Sequence, residues 1–301
     1  MPLYAQSRGV YPLGMTATSS GVSGEAGVTY SNQLLFYSRD ASKDEHGDTI
    51  ATGHHAVVMD LNSFVWVSRR EILGGARYSA TVTLPVARNA LTSDIHGTIS
   101  GGSAFADSYY LPFILGWNKE RAAVRVLYGF LAPTGRFAPD ATDNVGSGYW
   151  TSTVSSGQTV YLTRDKQLNA SAFEMYEFHT MQEGTATRPG DTFNVDYSIM
   201  QTLRLSSGPW RLHVGLVGYE QRQTTARTGP SVPSEQAAER YMVHAVGVGS
   251  NATFPDQRVS LGSGCSGSSP IDRRSRALHF RFLAPSASES DRRTSFNNQR
   301  G

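Results

Sequence analysis

Residues 190–223 read GDTFNVDYSIMQTLRLSSGPWRLHVGLVGYEQRQ, and this stretch decides the fold. From 192 to 205 the odd positions are Phe193, Val195, Tyr197, Ile199, Gln201, Leu203 and Leu205, and the even ones are Thr192, Asn194, Asp196, Ser198, Met200, Thr202 and Arg204. Only Gln201 and Met200 break the alternation. A period of two means an extended strand with one apolar and one polar face. Ser206, Ser207, Gly208 and Pro209 turn the chain, and Trp210, Leu212, Val214 and Leu216 resume the apolar face opposite Arg211, His213 and Gly215. Soluble strands usually run about five to six residues, whereas a tilted strand crossing a bilayer needs about nine to eleven. The hairpin is therefore long enough for a membrane wall. A long hairpin of a secreted β-sandwich is the competing reading.

The rest of the chain repeats the pattern. Strands are predicted over 28–38, 56–68, 77–87, 104–117, 121–132, 149–162, 167–178, 192–205, 210–223, 239–253 and from 258. The connections alternate, long after the first, third, fifth, seventh and ninth strands and short after the others. Outer-membrane barrels have this asymmetry, with short turns facing the periplasm and long loops outside; a sandwich has no reason for it. The predicted fold is an all-β, antiparallel, up-and-down transmembrane barrel of about twelve strands, even in number as single-chain bacterial barrels are. Pro112 removes a ladder donor inside a strand, so a bulge is expected there. Glu174 shares a face with Leu168, Ala172 and Tyr176, which is wrong for lipid unless a bulge shifts the register.

Composition agrees with this class. The 301 residues are 39% hydrophobic with mean hydropathy −0.33, and no run of eighteen apolar residues exists, which excludes a helical membrane protein. Alternating strands hide their hydrophobicity from such counts because half of each is polar. The single cysteine, Cys265, excludes an internal disulfide framework. The net charge of +2 belongs to the tail: residues 263–301 hold seven arginines and three acids, which leaves residues 1–262 at −2. No basic stripe with interleaved aromatics exists on the body, so no nucleic-acid partner is expected.

The two ends fit less well. Residues 1–27 are rich in Gly, Ser and Thr and read as an irregular, plug-like segment ahead of a barrel body over 28–262. A signal peptide is expected, and residues 1–6 are too short to be one. Residues 263–301 lose the alternation and read as an aberrant, disordered tail. Back-translated and read one base earlier, residues 270–286 permit ANRSTFQGxTLSFSGAI, a strand-like string. A frameshift near Gly262 is therefore expected to have cost the last strand, leaving about eleven encoded; the coding DNA decides this.

Several motifs resemble one family. They are FVWV at 64–67 with LGG at 73–75, YLPFILGW at 110–117, FLAPTGRF at 130–137, NVGSGYW at 144–150, YEF at 176–178 and RPGD at 188–191. In order and spacing they are similar to the family of outer-membrane transporters named for the MetA pathway of phenol degradation. The resemblance implies a bacterial outer-membrane barrel for passive uptake of aromatic or other small hydrophobic compounds. It also implies a signal peptide and a C-terminal amphipathic strand. The partners expected are outer-membrane lipids, small hydrophobic solutes and the barrel-assembly machinery. No catalytic residue, cofactor or metal is expected.

A diffusion channel needs polar groups on its inner face. By alternation Asp60, Asn62, Arg125, Glu177, Asn194, Asp196, Arg204, Arg211 and His213 are predicted to line the lumen. Their mixed signs fit either a hydrated pore or a network of paired charges that plugs it. Arg136, Asn144, Arg188 and Asp191 are candidates for an extracellular solute entrance, although Pro, Gly and Arg also serve simply to define turns. A plugged structural barrel and a barrel hydrolase are the alternatives. The hydrolase would need Ser198, His213 and Asp196 to meet as nucleophile, base and orienter. His46, His54 and His55 lie among Asp44, Glu45 and Asp48, a cluster better read as a solvated loop than as a metal site.

Overall fold

A computed structural model of the chain describes residues 10–43, 49–93, 97–139, 141, 144–204, 211–230, 232, 237, 240–254, 259–268 and 276–285. The strands are β1 (Gly27–Lys43), β2 (Thr49–Ile72), β3 (Ala76–Ser93), β4 (Gly97–Phe105), β5 (Ser108–Asn118), β6 (Ala122–Ala132), β7 (Thr151–Tyr161), β8 (Leu168–His179), β9 (Thr192–Arg204), β10 (Arg211–Gln223), β11 (Met242–Phe254), β12 (Val259–Ser268) and β13 (Arg276–Pro285). All pairings are antiparallel and follow chain order. β4 and β5 pair with successive lengths of β3, so together they make one stave of the wall, twelve staves among the described residues. β13 pairs with β1 from Thr29↔Pro285 to Ser38↔Arg276 and lies beside β12, which brings the two ends of the sheet together.

Two further strands fall at the edge of, and within, the stretch expected as an aberrant tail. Residues 259–268 and 276–285 supply two staves. The written sequence RALHFRFLAP itself alternates, and Leu278, Phe280 and Phe282 fall opposite Phe36, Leu34 and Asn32 in the ladder. A row of unpaired backbone groups along β1 would be costly in lipid, so even a short alternating segment is drawn to that edge. The remaining tail residues lie outside the described ones. A correction concerns 39–55 and 88–103, expected as loops: β1, β2, β3 and β4 continue through most of them as long paired arms.

The wall is apolar outside and polar inside, the reverse of a soluble domain. Val126, Tyr128, Val154, Phe193, Ile199, Leu216 and Val248 are exposed on the outer face, Ile199 at 52% and Val248 at 63%. Soluble monomers rarely expose a contiguous apolar patch above about 300–600 Å², and here the band runs from strand to strand. Inward positions on the same strands carry Thr151, Thr153, Thr159, Glu177, Asn194 and Asp196, all of them buried. Alternation thus assigns one face to hydrocarbon and one to a polar interior.

Two local features bear on the predictions. The β5–β6 register shifts between Tyr110 and Phe113, so the ladder is interrupted at Pro112 as expected. Glu174 does face outward, yet neither the β7–β8 nor the β8–β9 register shifts around it. Instead Ser156 Oγ and Gln158 Nε2 donate to its Oε2 at 2.8 and 2.9 Å. Hydrogen bonding across the wall, rather than a bulge, accommodates the carboxylate.

Removing residues 276–285 should leave one edge of β1 unpaired and block assembly. Heat-modifiable electrophoretic mobility, the mark of a folded barrel, is expected for the full chain and lost in the truncation. Retained mobility in the truncated chain would show that β13 is not a stave.

Candidate functional site in the barrel lumen

Residues 10–26 mix small polar residues with Tyr11, Leu13 and Met15 and form no strand, so their backbone groups need partners wherever they are buried. They find them on the inner wall. The backbone N–H groups of Val10 and Tyr11 donate to Glu177 at 3.0 and 2.8 Å, and those of Gly14 and Thr16 to Asp196 at 2.9 and 3.0 Å. Tyr11 Oη also donates to Asp196, at 2.5 Å. Further along, Ser198 Oγ donates to Ala17 O at 2.6 Å, Arg125 Nε to Ser20 O at 2.8 Å, and Gly21 N to Thr159 Oγ1 at 3.0 Å. Ser23 N donates to Asn118 Oδ1 at 3.1 Å, and Asn118 Nδ2 donates back to Ser23 O at 3.0 Å. Glu177 lies near the rim of long connections and Asn118 at the rim of short turns. The segment therefore threads the barrel from one mouth to the other before entering β1.

Glycine on the wall makes room for it. A Cβ at Gly157 would lie 2.1 Å from Ser20 O, and one at Gly116 would lie 1.7 Å from Ser23 Oγ. Gly157 looks like a flaw in the strand pattern of β7 when read alone. It is the position where the wall touches the threaded backbone. The upper part of the segment packs on an apolar inner surface: Tyr11, with Leu13 and Met15, meets Ile114, Leu127, Phe173 and Met175, flanked by Tyr109 and Leu111. The interior thus sets apolar side chains beside hydroxyls, amides and carboxylates.

Arg125, Glu177, Asn194, Asp196 and His213 all lie on inward positions. Glu177 and Asp196 anchor the threaded segment; Asn194 Oδ1 accepts from Gln221 Nε2 at 2.6 Å; His213 Nδ1 shares a hydrogen with Thr202 Oγ1 at 2.9 Å. Arg204 and Arg211 face one another in register at the short-turn rim, exposed and on the inward parity. Asp60 and Asn62 are a correction: they point outward. They share parity with Phe64 and Trp66, which are exposed to the outside at 50% and 46%, while Leu61 and Val67 are buried on the inner side. The two form a hydrogen-bonded group with β1, in which Tyr30 Oη and Asn32 Nδ2 donate to Asn62 Oδ1 at 2.5 and 3.2 Å and Asn32 Nδ2 donates to Asp60 Oδ1 at 2.5 Å.

The expected entrance residues fall in a crown at the long-connection rim. Asp107, between β4 and β5, is its centre, accepting from Gly135 N at 2.9 Å and from Ser147 N at 2.6 Å. It thereby ties the FLAPTGRF loop to the NVGSGYW loop, whose Gly135 and Gly146 backbones touch so closely that a Cβ on either would collide. Burial raises the Asp107 carboxyl above the usual carboxylate range, and the hydrogen bonds from Ser147 and Gly135 pull it partway back. Asn144 defines a turn, accepting from Ala138 N and donating to Ala138 O, both at 2.8 Å. Arg188 forks onto Asp191 at 3.0 and 3.1 Å and donates to His179 O at 2.8 Å. Arg136 is exposed, and its backbone carbonyl accepts from Val145 N and Gly146 N. These contacts give Asn144, Arg188 and Asp191 structural roles in the crown. Asp107 and the wall glycines were not singled out from sequence, since neither belongs to an alternating set.

The hydrolase constellation is not assembled. Ser198 stands opposite Val217 and His213 opposite Thr202, four rungs apart, or about 13 Å along the strands. Ser198 is engaged by Ala17, and Asp196 by Tyr11, Gly14 and Thr16. Residues 44–48, with His46, lie outside the described residues, as do the side chains of His54 and His55.

The family model described as "Putative MetA-pathway of phenol degradation" matches residues 39–267. No curated protein matches. Among solved structures the chain is similar to the COG4313 outer membrane channel from Pseudomonas putida F1, at 13% identity over 88% of this chain and 97% of that one, with a TM-score of 0.69. It is also similar to the beta domain of the Bordetella autotransporter BrkA, at 11% identity over 86% and 99% of the two chains, with a TM-score of 0.50. At these identities the likeness is one of fold.

Replacing Asp107 by alanine strands the N–H groups of Gly135 and Ser147. Each such loss costs about 1–3 kcal/mol where the group stays buried. External protease should then cut within residues 133–150 in the variant faster than in the parent, with barrel mobility unchanged; equal cutting rates would deny Asp107 this role.

Proposed function

We propose, for a chain that belongs to the MetA-pathway family and folds as an outer-membrane-type barrel, that it passes small hydrophobic or aromatic solutes passively across the bacterial outer membrane. The observation that carries the reading is the mixed lining of the lumen. Ile114, Leu127, Phe173 and Met175 share the inner wall with Thr153, Asn194 and Asp196, and Phe173 stands beside Asp196 and Met175 beside Asn194 in the ladder. A solute with an aromatic ring and a hydroxyl finds both kinds of contact within one bore. The similar Pseudomonas putida protein is an outer membrane channel, which is in keeping with the reading. No catalytic step is assigned, because Ser198 and Asp196 hold the N-terminal segment while His213 bonds Thr202, four rungs away. Delivery to the membrane is assigned to the barrel-assembly machinery, as for barrels generally.

Residues 10–24 occupy the path, so passage runs beside them or follows their displacement. The second reading, a barrel sealed for structural purposes, draws its support from the same segment. Gly157→Leu separates the two, since its side chain would overlap Ser20 and push the segment from the wall. In planar bilayers and swelling liposomes, the parent chain should admit phenol-sized solutes, and Gly157→Leu should admit them faster and conduct more. Absence of conductance and of solute uptake in both proteins would favour the sealed barrel.

A further inference from the structure

Outside the barrel, at the rim of long connections, β8 to β11 carry a cavity of about 360 Å³ lined by Tyr176, Phe193, Arg222, Gln223, Thr224 and Arg240. Three of these form a single cross-strand row on the outward face: Tyr176 pairs with Phe193, and Phe193 with Arg222. Tyr176 and Phe178 stand 4.7 Å apart and Tyr176 and Phe193 6.5 Å apart, centroid to centroid, a short aromatic belt of the kind found where a membrane wall leaves hydrocarbon for the headgroup region. The far wall of the cavity is held rigidly. Tyr176 Oη and Thr224 Oγ1 share a hydrogen bond at 2.7 Å, and Arg240 Nη1 donates to Thr224 O at 2.6 Å, which fixes that guanidinium at the cavity edge. Arg222 is exposed and its side chain makes no hydrogen bond or ion pair with other described residues.

We propose that this cavity binds the phosphate headgroup of an anionic lipid of the outer leaflet, with its acyl chains lying against Tyr176 and Phe193. The inference rests on the membrane reading of the barrel and is independent of what passes through the lumen. Two guanidinium groups bracket the opening, and planar Arg donors match phosphate oxygens better than any other side chain does. The floor beneath them is aromatic and faces the bilayer, so a soluble anion would fill only the upper part. Glu220 lies on the same outward face two residues nearer the membrane centre, with His244 opposite it in register. The arginines therefore sit on the water side of that acid, at headgroup height.

The test uses the full chain, folded in a neutral detergent and checked by heat-modifiable mobility. Native mass spectrometry reads retention of a diphosphorylated lipid A against the same lipid with its phosphates removed. The parent should retain the phosphorylated form about tenfold better, and Arg222→Gln with Arg240→Gln should remove that preference, whereas Arg222→Lys alone should keep part of it. Inorganic phosphate at millimolar concentration should leave the lipid bound. Equal retention of the two lipids by the parent, an unchanged preference in the double variant, or full displacement of the lipid by inorganic phosphate would each overturn the assignment. A chain that fails to enter detergent as a folded barrel would instead defeat the membrane reading beneath it.

Discussion

A peptide group in hydrocarbon has no water to bond, so every N–H and C=O of a membrane-crossing strand must find a partner in the next strand. That requirement shapes this chain from end to end. It forces the sheet to be continuous, which is why residues 276–285, unpromising in an arginine-rich tail, are drawn to the free edge of β1. It also leaves side chains as the only means of telling one face from the other. Val154, Ile199 and Val248 turn to the outside and Thr153, Ser198 and Gly249 to the inside.

The same constraint then acts on the interior. A polar bore lined by short side chains leaves backbone-sized space along one wall, and an unpaired peptide segment satisfies both itself and the wall by entering it. Residues 10–24 do this through two fully buried carboxylates, Glu177 and Asp196, which hold backbone N–H groups as they would hold a charged ligand. Such hydrogen bonds are worth about 1.5–3 kcal/mol each. They are strong enough to define a resting position and few enough to be exchanged. The glycines at 116 and 157 give the segment its track, so wall and plug are fitted to one another at named positions.

Much of this was legible in the sequence because a period of two is a direct record of which face meets which medium. The hairpin at 192–223, the alternation of connection lengths and the break at Pro112 all follow from local rules. Asp60 and Asn62 went wrong where polarity was allowed to outweigh parity: they alternate in phase with Phe64 and Trp66, and phase decides the face, with Tyr30 and Asn32 supplying the hydrogen bonds that make the outward position tolerable. In the tail, a ten-residue alternation flanked by Arg and Ser is a weak signal until its partner strand is known. Residues 10–26 could be recognised as plug-like from composition, but not their partners. Contacts 95 to 185 residues away leave no mark on a local pattern.

Membrane contact on one face of each stave and enclosure on the other is the claim beneath all the rest. Its most direct test is the depth and medium felt by neighbouring side chains of β9. With Cys265→Ser as background, a fluorescent probe placed by Ile199→Cys and another by Ser198→Cys would be compared in bilayers containing brominated lipid. The account predicts strong quenching at 199 and little at 198, with the order repeated at 197 and 196. Equal quenching by a water-soluble agent at both positions, with none from the lipid, would contradict it.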